Sequence, residues 1–171
     1  MNFEIRLATI KDLEEKWNYE IKNHPNDNRW KIWKDVAMFN VLNGFRLCFC
    51  GLLNGEIIAE ATAVISKGDT GLENKDFVTD DTVYLEAFRV NKNYRGKGYF
   101  SKLYKFMEDY LLDKGFNKLI LGVEPSETVN LEIYKHYGYT QFIAERVEKY
   151  PPQNADGEEK EYLVHYYMKT L

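Results

Sequence analysis

The segment from Val83 to Gly98 holds the residue types best suited to binding a charged ligand. Val83 to Val90 is apolar, β-branched and aromatic, which predicts a β-strand. A polar turn follows and leads through Arg95-Gly96-Lys97-Gly98 into an amphipathic helical pattern. A turn of this kind points several backbone N–H groups at one spot, and the aligned peptide dipoles there favour an anion, typically phosphate. We therefore expect this chain to bind a phosphorylated cofactor.

Three phosphate-binding patterns can be compared with this turn. A Walker A loop needs G-x-x-x-x-G-K-[S/T], and that spacing is absent. A dinucleotide fingerprint needs Gly or Ala where Ser101 stands, and its strand does not follow a hairpin in mid-chain. The turn instead resembles, in its first four residues, the R/Q-x-x-G-x-G/A signature of the GNAT superfamily of N-acetyltransferases. The resemblance extends roughly from Thr82 to Phe142, because Tyr134-Lys135-His136-Tyr137-Gly138-Tyr139 is similar to the family's closing Y-x-x-x-G-F/Y motif.

The resemblance implies that acetyl-CoA is the co-substrate, and it also implies which residues contact it. In the family, the turn and the start of the following helix hold the pyrophosphate. The corresponding residues here are Arg95, Gly96, Lys97, Gly98, Tyr99, Phe100 and Ser101. The strand before the turn lies beside the pantetheine arm and bonds to it through backbone groups. By position, this role falls to Phe88, Arg89 and Val90.

The sequence departs from the family pattern at two positions. Phe100 stands where the signature prefers Gly or Ala, and we expect its side chain to point away while its N–H still donates. Glu127 replaces an asparagine that is common near the start of the next helix. Asn130, one turn later, is expected to take over a polar contact to the cofactor.

Glu86 is an acidic residue in the middle of an otherwise apolar strand, and it matches a glutamate of some aminoglycoside-acetylating relatives. An amine that attacks a thioester must be unprotonated, yet an alkyl ammonium has a pKa of about 10.4 in water. We therefore predict that Glu86 takes a proton from the amine, directly or through water, or that it anchors a cationic acceptor. The alternative is structural: a glutamate that reaches solvent or pairs with a neighbouring Arg or Lys.

Tyr134 is the candidate acid, since the resemblance places it where family members are proposed to protonate the departing thiolate. The pKa of a thiol, about 8.5, lies below the value of about 10 for a tyrosine hydroxyl, so Tyr134 can hydrogen-bond the sulfur or protonate it. The alternative is a core tyrosine in a chain that has 13 of them. Backbone N–H groups from Phe88 to Val90 could polarise the thioester carbonyl without any particular side chain.

Hydrophobic periodicity predicts the elements that must position these residues. Alternation marks a strand from Phe3 to Leu7, and helical spacing follows a Thr9–Asp12 capping box. Asn54-Gly55 between two apolar runs predicts a hairpin. The predicted order is β-α-α-β-β-β-α-β-α-β-β. It implies a mixed sheet with helices on both faces. The family resemblance implies the GNAT fold, which is α/β (α+β) with a central mixed, mostly antiparallel, twisted sheet of about seven strands.

Three further segments carry specific expectations. Ser126 is expected to cap the helix that follows Pro125. Trp30 and Trp33 are expected in the core, or alternatively in the wall of a substrate pocket. Lys67 to Asp81 is predicted to be a long polar loop, either solvated or able to attract a cationic acceptor. Its acidic residues are Asp69, Glu73, Asp76, Asp80 and Asp81.

The composition narrows the class of protein. The 171 residues suit one domain, here taken as residues 1–171, and a net charge of −4 argues against a nucleic-acid partner. Without a signal sequence or an apolar run long enough to span a bilayer, we expect a cytoplasmic protein with no membrane partner. Cys48 and Cys50 are two apart on a predicted strand, too far for a relaxed disulfide. The three histidines lack metal-ligand spacing, so we expect no metal.

These observations predict an acetyl-CoA-dependent N-acetyltransferase that acts by direct attack in a ternary complex. The acceptor is expected to be a primary amine of a small molecule or peptide. One alternative is a CoA-binding regulatory or sensor module that has lost the reaction, and another is an enzyme that uses a longer acyl-CoA. If the aromatic strand from Tyr162 to Met168 lay at the sheet edge, it would support a homodimer.

Overall fold

The computed structural model describes residues 2–72 and 76–171, so Glu73 of the predicted acidic loop lies outside the described residues. The strands are β1 (Phe3–Leu7), β2 (Arg46–Leu53), β3 (Glu56–Val64), β4 (Thr82–Val90), β5 (Lys118–Val123), β6 (Gln141–Tyr150) and β7 (Lys160–Thr170). The helices are α1 (Ile10–Asn23), α2 (Arg29–Leu42), α3 (Tyr99–Asp113) and α4 (Thr128–His136), with a short 3-10 turn at Lys92–Tyr94. Their order along the chain is the predicted one. Among the described helices, none is both long and apolar enough to cross a membrane.

All seven strands form one sheet in the order β1-β2-β3-β4-β5-β7-β6. Among the strand pairs of the described residues, β4–β5 is parallel and the other five are antiparallel. This confirms the predicted mixed, mostly antiparallel sheet. Helices α1 and α2 pack on one face, against Cys48 of β2, while α3 packs on the other face, against Phe49 of the same strand. Because side chains alternate along a strand, these neighbours mark the two faces.

Local sequence explains how several elements begin and turn. Thr9 caps α1 by accepting a hydrogen bond from the Asp12 N–H, and the Asp12 side chain accepts one from the Thr9 N–H in return. Both residues of the Asn54-Gly55 turn have positive φ, 51° and 87°, as a tight hairpin between twisted strands requires. The predicted capping box and hairpin are therefore confirmed.

The α3 helix supplies the centre of the core. Leu103, Met107 and Leu111 recur at helical spacing and are completely buried. They share one apolar cluster with Phe49 of β2 and Leu85 of β4. This apolar face fixes α3 against the middle of the sheet.

Two predictions about element placement are wrong. Tyr162 to Met168 belongs to β7, which lies between β5 and β6, so the edge strand on this side is β6. The argument for a homodimer through that strand therefore fails, and the homodimer itself stays a prediction. Ser126 does not cap α4, since the cap residue is Glu127 and it makes no side-chain capping bond. The Glu127 N–H bonds instead to the Glu124 carbonyl at 2.9 Å, so a turn occupies the chain before the helix begins.

Replacing Leu103 with Ala should lower the free energy of unfolding by about 2–5 kcal/mol, because it removes buried methyl groups and leaves a cavity. Urea unfolding followed by circular dichroism measures the change. Leu112→Ala is the matched control, the same substitution in the same helix at a residue that is 51% exposed. It should change the free energy of unfolding by less than about 0.5 kcal/mol. Equal losses in the two variants would contradict the assignment of Leu103 to the core.

Candidate active site

The sheet divides where β4 and β5 separate. The two strands pair in parallel only as far as Leu85 and Leu121. Beyond these residues β4 continues to Val90 beside β3, while β5 continues to Val123 beside β7. Among the described residues, the facing edges of β4 and β5 have no strand partner past this point. Their backbone donors and acceptors are left for a ligand placed between the two halves of the sheet.

A bulge in β4 lies where the strands separate. Ala87 has a φ of 56°, in the left-handed region that few non-glycine residues adopt. The register with β3 shifts at the same place, since Thr62 faces Glu86 while Glu60 faces Arg89. Two β4 residues therefore oppose one residue of β3, and the bulge bends the strand and increases its twist locally.

The bulge determines which face each following side chain occupies. Phe88 turns toward α3 and packs against Phe100, with ring centroids 5.6 Å apart. Arg89 turns to the opposite face, where its guanidinium lies 4.9 Å from the Trp30 ring and 3.4 Å from Glu60 Oε1. The Arg89 side chain thus packs against the first two helices and Glu60. The backbone of Arg89 is what remains for the predicted contact with pantetheine.

The glycine turn presents unpaired donors at the start of α3. Gly96 and Gly98 have φ values of 73° and 78°, and no atom lies within 4 Å of a Cβ added at either residue. These glycines are therefore required by backbone conformation rather than by lack of space. The first hydrogen bond of α3 joins the Lys102 N–H to the Gly98 carbonyl at 3.3 Å. The N–H groups from Tyr99 to Ser101 precede it and have no partner within the helix, which makes this end of α3 suited to an anion.

The two basic residues of the turn are exposed. The Arg95 Nε donates to the Val90 carbonyl at 3.0 Å, which ties the turn to the end of β4. The Lys97 Nζ donates to the Asn93 carbonyl at 3.2 Å and lies 5.5 Å from the centre of the Tyr94 ring. Both charges thus stay beside the glycine turn, where a phosphate could replace these weak surface contacts.

Phe100 packs into an aromatic cluster between α3, α4 and β4. Its ring centroid lies 5.7 Å from that of Tyr137 and 5.9 Å from that of Tyr104, in addition to the contact with Phe88. Its N–H is one of the donors ahead of the first helical bond. Next to it, the Ser101 Oγ and the Tyr137 hydroxyl are 2.9 Å apart and link the start of α3 to the end of α4. Asn130 is half-buried in the first turn of α4.

Tyr134 lies on the α3 face beside the bulged strand. It is half-buried, and its ring centroid lies 6.1 Å from that of Phe88. Burial, and to a smaller extent the charge of Glu127, raise the pKa of the Tyr134 hydroxyl. The phenol therefore stays protonated across the neutral range, as a proton donor must.

Glu86 lies on the opposite face and pairs with an arginine. The Arg46 Nη1 of β2 donates to the Glu86 Oε1 at 2.6 Å, and the same guanidinium forms a bidentate pair with Asp69. This is the pairing that the structural alternative for Glu86 describes. The Glu86 side chain is nevertheless 31% exposed, so part of the carboxylate remains accessible.

Three described carboxylates of the acidic loop pair with basic residues of the protein. The Asp69 side chain is completely buried against Arg46. Asp76 accepts a hydrogen bond from Arg146 at 2.7 Å, and Asp81 accepts one from Lys118 at 2.9 Å. Each of these three carboxylates is thus paired with a cation of the protein itself. Asp69 is not solvated, whereas the Asp76 side chain is 83% exposed and Asp81 is 44% exposed.

Sequence reasoning missed Arg46 and Asp69. A signal did exist, since Arg46 begins an otherwise apolar strand just as Glu86 interrupts one, and two opposite lone charges in apolar strands are candidates for a pair. Their meeting depended on the sheet register, which the sequence alone did not supply.

Cys48 and Cys50 are free thiols, and burial raises their pKa values to about 11 and about 12. Within residues 2–72 and 76–171, no group of three or more His, Cys, Asp or Glu side chains could hold a metal ion.

A split sheet beside a glycine turn and a helix start with unbonded N–H groups has the shape and the donors that suit an extended phosphorylated cofactor. The model of the acetyltransferase (GNAT) family matches residues 7–139. The chain belongs to this family, and acetyl-CoA is the cofactor that the family implies. The residues at the site fit that cofactor, since the glycine turn is open and the facing strand edges are unpaired. A sequence search of the curated proteins finds no match.

Solved structures show the same fold at low sequence identity. An N-acetyltransferase from Staphylococcus aureus Mu50 is similar with a TM-score of 0.66 and 17% identity, over 99% of each chain. A putative acetyltransferase from Salmonella typhimurium, solved with its cofactor acetyl-CoA, has a TM-score of 0.63 and 18% identity, over 100% of this chain and 95% of that one. The ribosomal-protein-S18-alanine N-acetyltransferase from Escherichia coli has a TM-score of 0.63 and 20% identity, over 99% and 94%.

Gly98→Ala should weaken the binding of CoA about tenfold. A residue with a Cβ at this φ costs about 1–2 kcal/mol, and relaxation of the turn moves the N–H groups away from a common point. A tenfold change in the dissociation constant corresponds to about 1.4 kcal/mol. Isothermal titration calorimetry with CoA measures it.

Gly115→Ala is the matched control for this prediction. Gly115 has a φ of 93° and equally open surroundings, but it follows the other end of α3. This variant should lose similar stability and keep the affinity for CoA. A comparable loss of CoA affinity in both variants would assign the effect to general strain rather than to the anion site.

Proposed function

We propose that this protein transfers the acetyl group of acetyl-CoA to a primary amine by direct attack in a ternary complex. The observation that carries the proposal is the separation of β4 from β5 at a bulge flanked by two ionisable side chains. Glu86 lies on the α1–α2 side of this strand and Tyr134 on the α3 side. A thioester held between the strands would therefore have a carboxylate on one side and a phenol on the other.

Binding of the cofactor would use backbone groups for most of its length. The pyrophosphate would accept hydrogen bonds from the N–H groups at the start of α3, with Arg95 and Lys97 adding positive charge. The pantetheine arm would pair with the free edge of β4 from Phe88 to Val90, much as an added strand would. Asn130 of α4 is available for a polar contact from the other side.

The chemistry needs three proton movements. An acceptor that arrives as an ammonium loses one proton, to Glu86 or to water held by it, and the lone pair of the resulting amine attacks the thioester carbon. The positively charged nitrogen of the tetrahedral intermediate then loses a second proton to solvent. N–H groups of the bulged strand stabilise the oxyanion that forms. When the tetrahedral intermediate collapses, the C–S bond breaks, the sulfur takes the electron pair, and Tyr134 hydrogen-bonds or protonates the thiolate. The products are the N-acetylated amine, CoA and one proton, and exchange with solvent returns Glu86 and Tyr134 to their starting protonation states.

The acceptor belongs to the class of primary amines of small molecules or peptides. A carboxylate with an accessible edge favours an amine that arrives as a cation, since the charge is attracted before the proton is lost. A homodimer and a cytoplasmic location remain proposals that accompany this function.

Glu86→Gln should lower kcat/KM for an amine acceptor about 100-fold or more, because glutamine can accept the bond from Arg46 but can neither take a proton nor pair with an ammonium. The affinity for CoA should stay unchanged. Release of CoA with a library of primary amines, read by thiol titration and by product mass, measures the effect. Glu145→Gln, a change at an exposed carboxylate on β6 that pairs with His165, is the control and should behave as wild type.

Two results would contradict the assignment of Glu86. Wild-type turnover in the Glu86→Gln variant would remove this residue from the chemistry. If the wild-type protein binds CoA but acetylates no amine in the library, the CoA sensor becomes the better description.

Tyr134→Phe should lower kcat about 100-fold while leaving CoA affinity within about twofold, because the phenyl ring keeps the packing against Phe88 but cannot donate a proton. Since the pKa of Tyr134 is raised, its acid form is present at every pH below that pKa and is lost only above it. The wild-type rate should therefore show no loss from tyrosine ionisation up to about pH 10. Tyr110→Phe, at a half-buried tyrosine near the far end of α3, is the control. An unchanged rate in Tyr134→Phe across the pH range would show that Tyr134 has only a packing role.

A further inference from the structure

Three charged side chains from separate elements meet on the α1–α2 face of the sheet. Arg46 begins β2, Asp69 lies in the segment after β3, and Glu86 lies in β4. The Arg46 Nη2 donates to the Asp69 Oδ1 at 2.8 Å and the Nε donates to the Asp69 Oδ2, while the Nη1 donates to the Glu86 Oε1 at 2.6 Å. One planar guanidinium thus holds both carboxylates in fixed directions.

The three side chains differ sharply in exposure. The Asp69 side chain is completely buried, that of Arg46 is 8% exposed and that of Glu86 is 31% exposed. Only Glu86 is therefore accessible to a ligand, with the other two charges behind it. Although burial lowers it, the two carboxylate partners raise the pKa of Arg46 above its usual range, so the guanidinium keeps its charge.

The segment that carries Asp69 is itself held in place. The Gly71 N–H donates to the Asp69 Oδ1 at 2.8 Å, and a Cβ at Gly71 would overlap the Arg46 guanidinium. The completely buried Asn40 of α2 accepts a bond from the Thr70 N–H at 3.0 Å and donates to the Thr70 Oγ1 at 3.0 Å. Asn40 of α2 therefore fixes Thr70, and the adjoining Asp69 is hydrogen-bonded to Arg46, which in turn holds Glu86.

The charges in this cluster do not cancel. Arg46 contributes one positive charge, and Asp69 and Glu86 contribute two negative ones, which leaves the cluster with a net charge of about −1. A guanidinium paired with Glu86 alone would form a neutral unit. Such a unit would attract an approaching ammonium group less strongly than a carboxylate with an unshared charge. The buried carboxylate of Asp69, which no ligand can reach, adds a second negative charge, so the cluster as a whole stays negative.

We propose that Arg46 and Asp69 are positioning residues, which orient Glu86 and keep its negative charge available to a cationic amine. The inference rests on the proposed function, since it concerns how Glu86 meets the acceptor. Arg46 supplies the direction of the carboxylate, and Asp69 neutralises Arg46. Specificity for an acceptor that arrives as a cation is thus set by a residue that does not touch it.

The test uses the full chain and the variants Asp69→Asn and Arg46→Gln/Asp69→Asn. The probe is whichever of spermidine, cadaverine and glycylglycine wild type acetylates fastest with acetyl-CoA. Asp69→Asn leaves Arg46 to pair with Glu86 alone, and it should raise KM for the amine about tenfold while KM for acetyl-CoA stays within about twofold. The double variant removes both hidden charges and leaves Glu86 unshared, so KM for the amine should return to within about threefold of wild type. Its kcat should stay about tenfold below wild type at an unchanged folded fraction, because Arg46 no longer orients the carboxylate.

The control is Asp81→Asn, the same substitution in the same segment at a carboxylate that pairs with Lys118 instead. It should leave both KM values unchanged. A merely structural role predicts a different pattern, in which the double variant is no better than Asp69→Asn and kcat falls with the fraction of folded protein measured by circular dichroism. The double variant also contains no unpaired buried cation, so it remains informative if Asp69→Asn alone does not fold.

The outcomes separate this inference from the function on which it rests. Turnover by wild type, loss of turnover in Glu86→Gln and an unchanged amine KM in Asp69→Asn would overturn the positioning role alone. The same holds if the double variant fails to recover the amine KM. If wild type acetylates none of the three amines, the proposed function fails for cationic acceptors, and this inference fails with it.

Discussion

The central constraint on this structure is that β4 cannot follow β3 and β5 at the same time beyond Leu85. The ladder to β5 ends there, while the ladder to β3 continues through a bulge at Ala87, whose φ of 56° is unfavourable for a residue with a Cβ. Strain of this kind persists only where the surroundings over-determine it. Here the fully paired halves of the sheet on either side hold the bulge in place. The resulting gap leaves a strand edge with no strand partner in the described part of the chain, inside an otherwise continuous sheet.

The residues that follow the bulge make different kinds of contact on the two faces of the sheet. On the α3 face, Phe88 joins an aromatic cluster with Phe100 and Tyr134, which ties the glycine turn and α4 to the same strand. On the α1–α2 face the contacts are ionic. Arg89 pairs with Glu60, which also pairs with Lys16 at 2.9 Å, where burial lowers the lysine pKa. Desolvated charges of this kind are costly unless they are paired, so the strand past the bulge is anchored by partners that tolerate few alternatives.

Several features of the fold were predictable because they depend on local rules. A capping box, a tight hairpin and a helix whose apolar residues recur every three or four positions each leave a pattern within a short stretch of chain. The glycine turn was predictable for the same reason, since Gly96 and Gly98 occupy backbone conformations that other residues avoid. The wrong predictions concern matters that local rules do not reach. No local pattern in the sequence places β7 between β5 and β6. After Pro125, a turn formed by backbone hydrogen bonds makes Glu127, rather than Ser126, the residue at which α4 is capped.

The sequence by itself determined the order of the elements, the family and the turn that precedes α3, because each is encoded in residue types at fixed spacing. Glu86 was identifiable from the sequence because it is a charged residue within an otherwise apolar strand. Only the tertiary structure decided what that charge meets. Arg46 and Asp69 are separated from it by 40 and 17 positions along the chain, and they reach it only through the strand register and the burial of the segment after β3. Contacts of this kind arise from the pairing of distant strands, and no pattern within one segment specifies them.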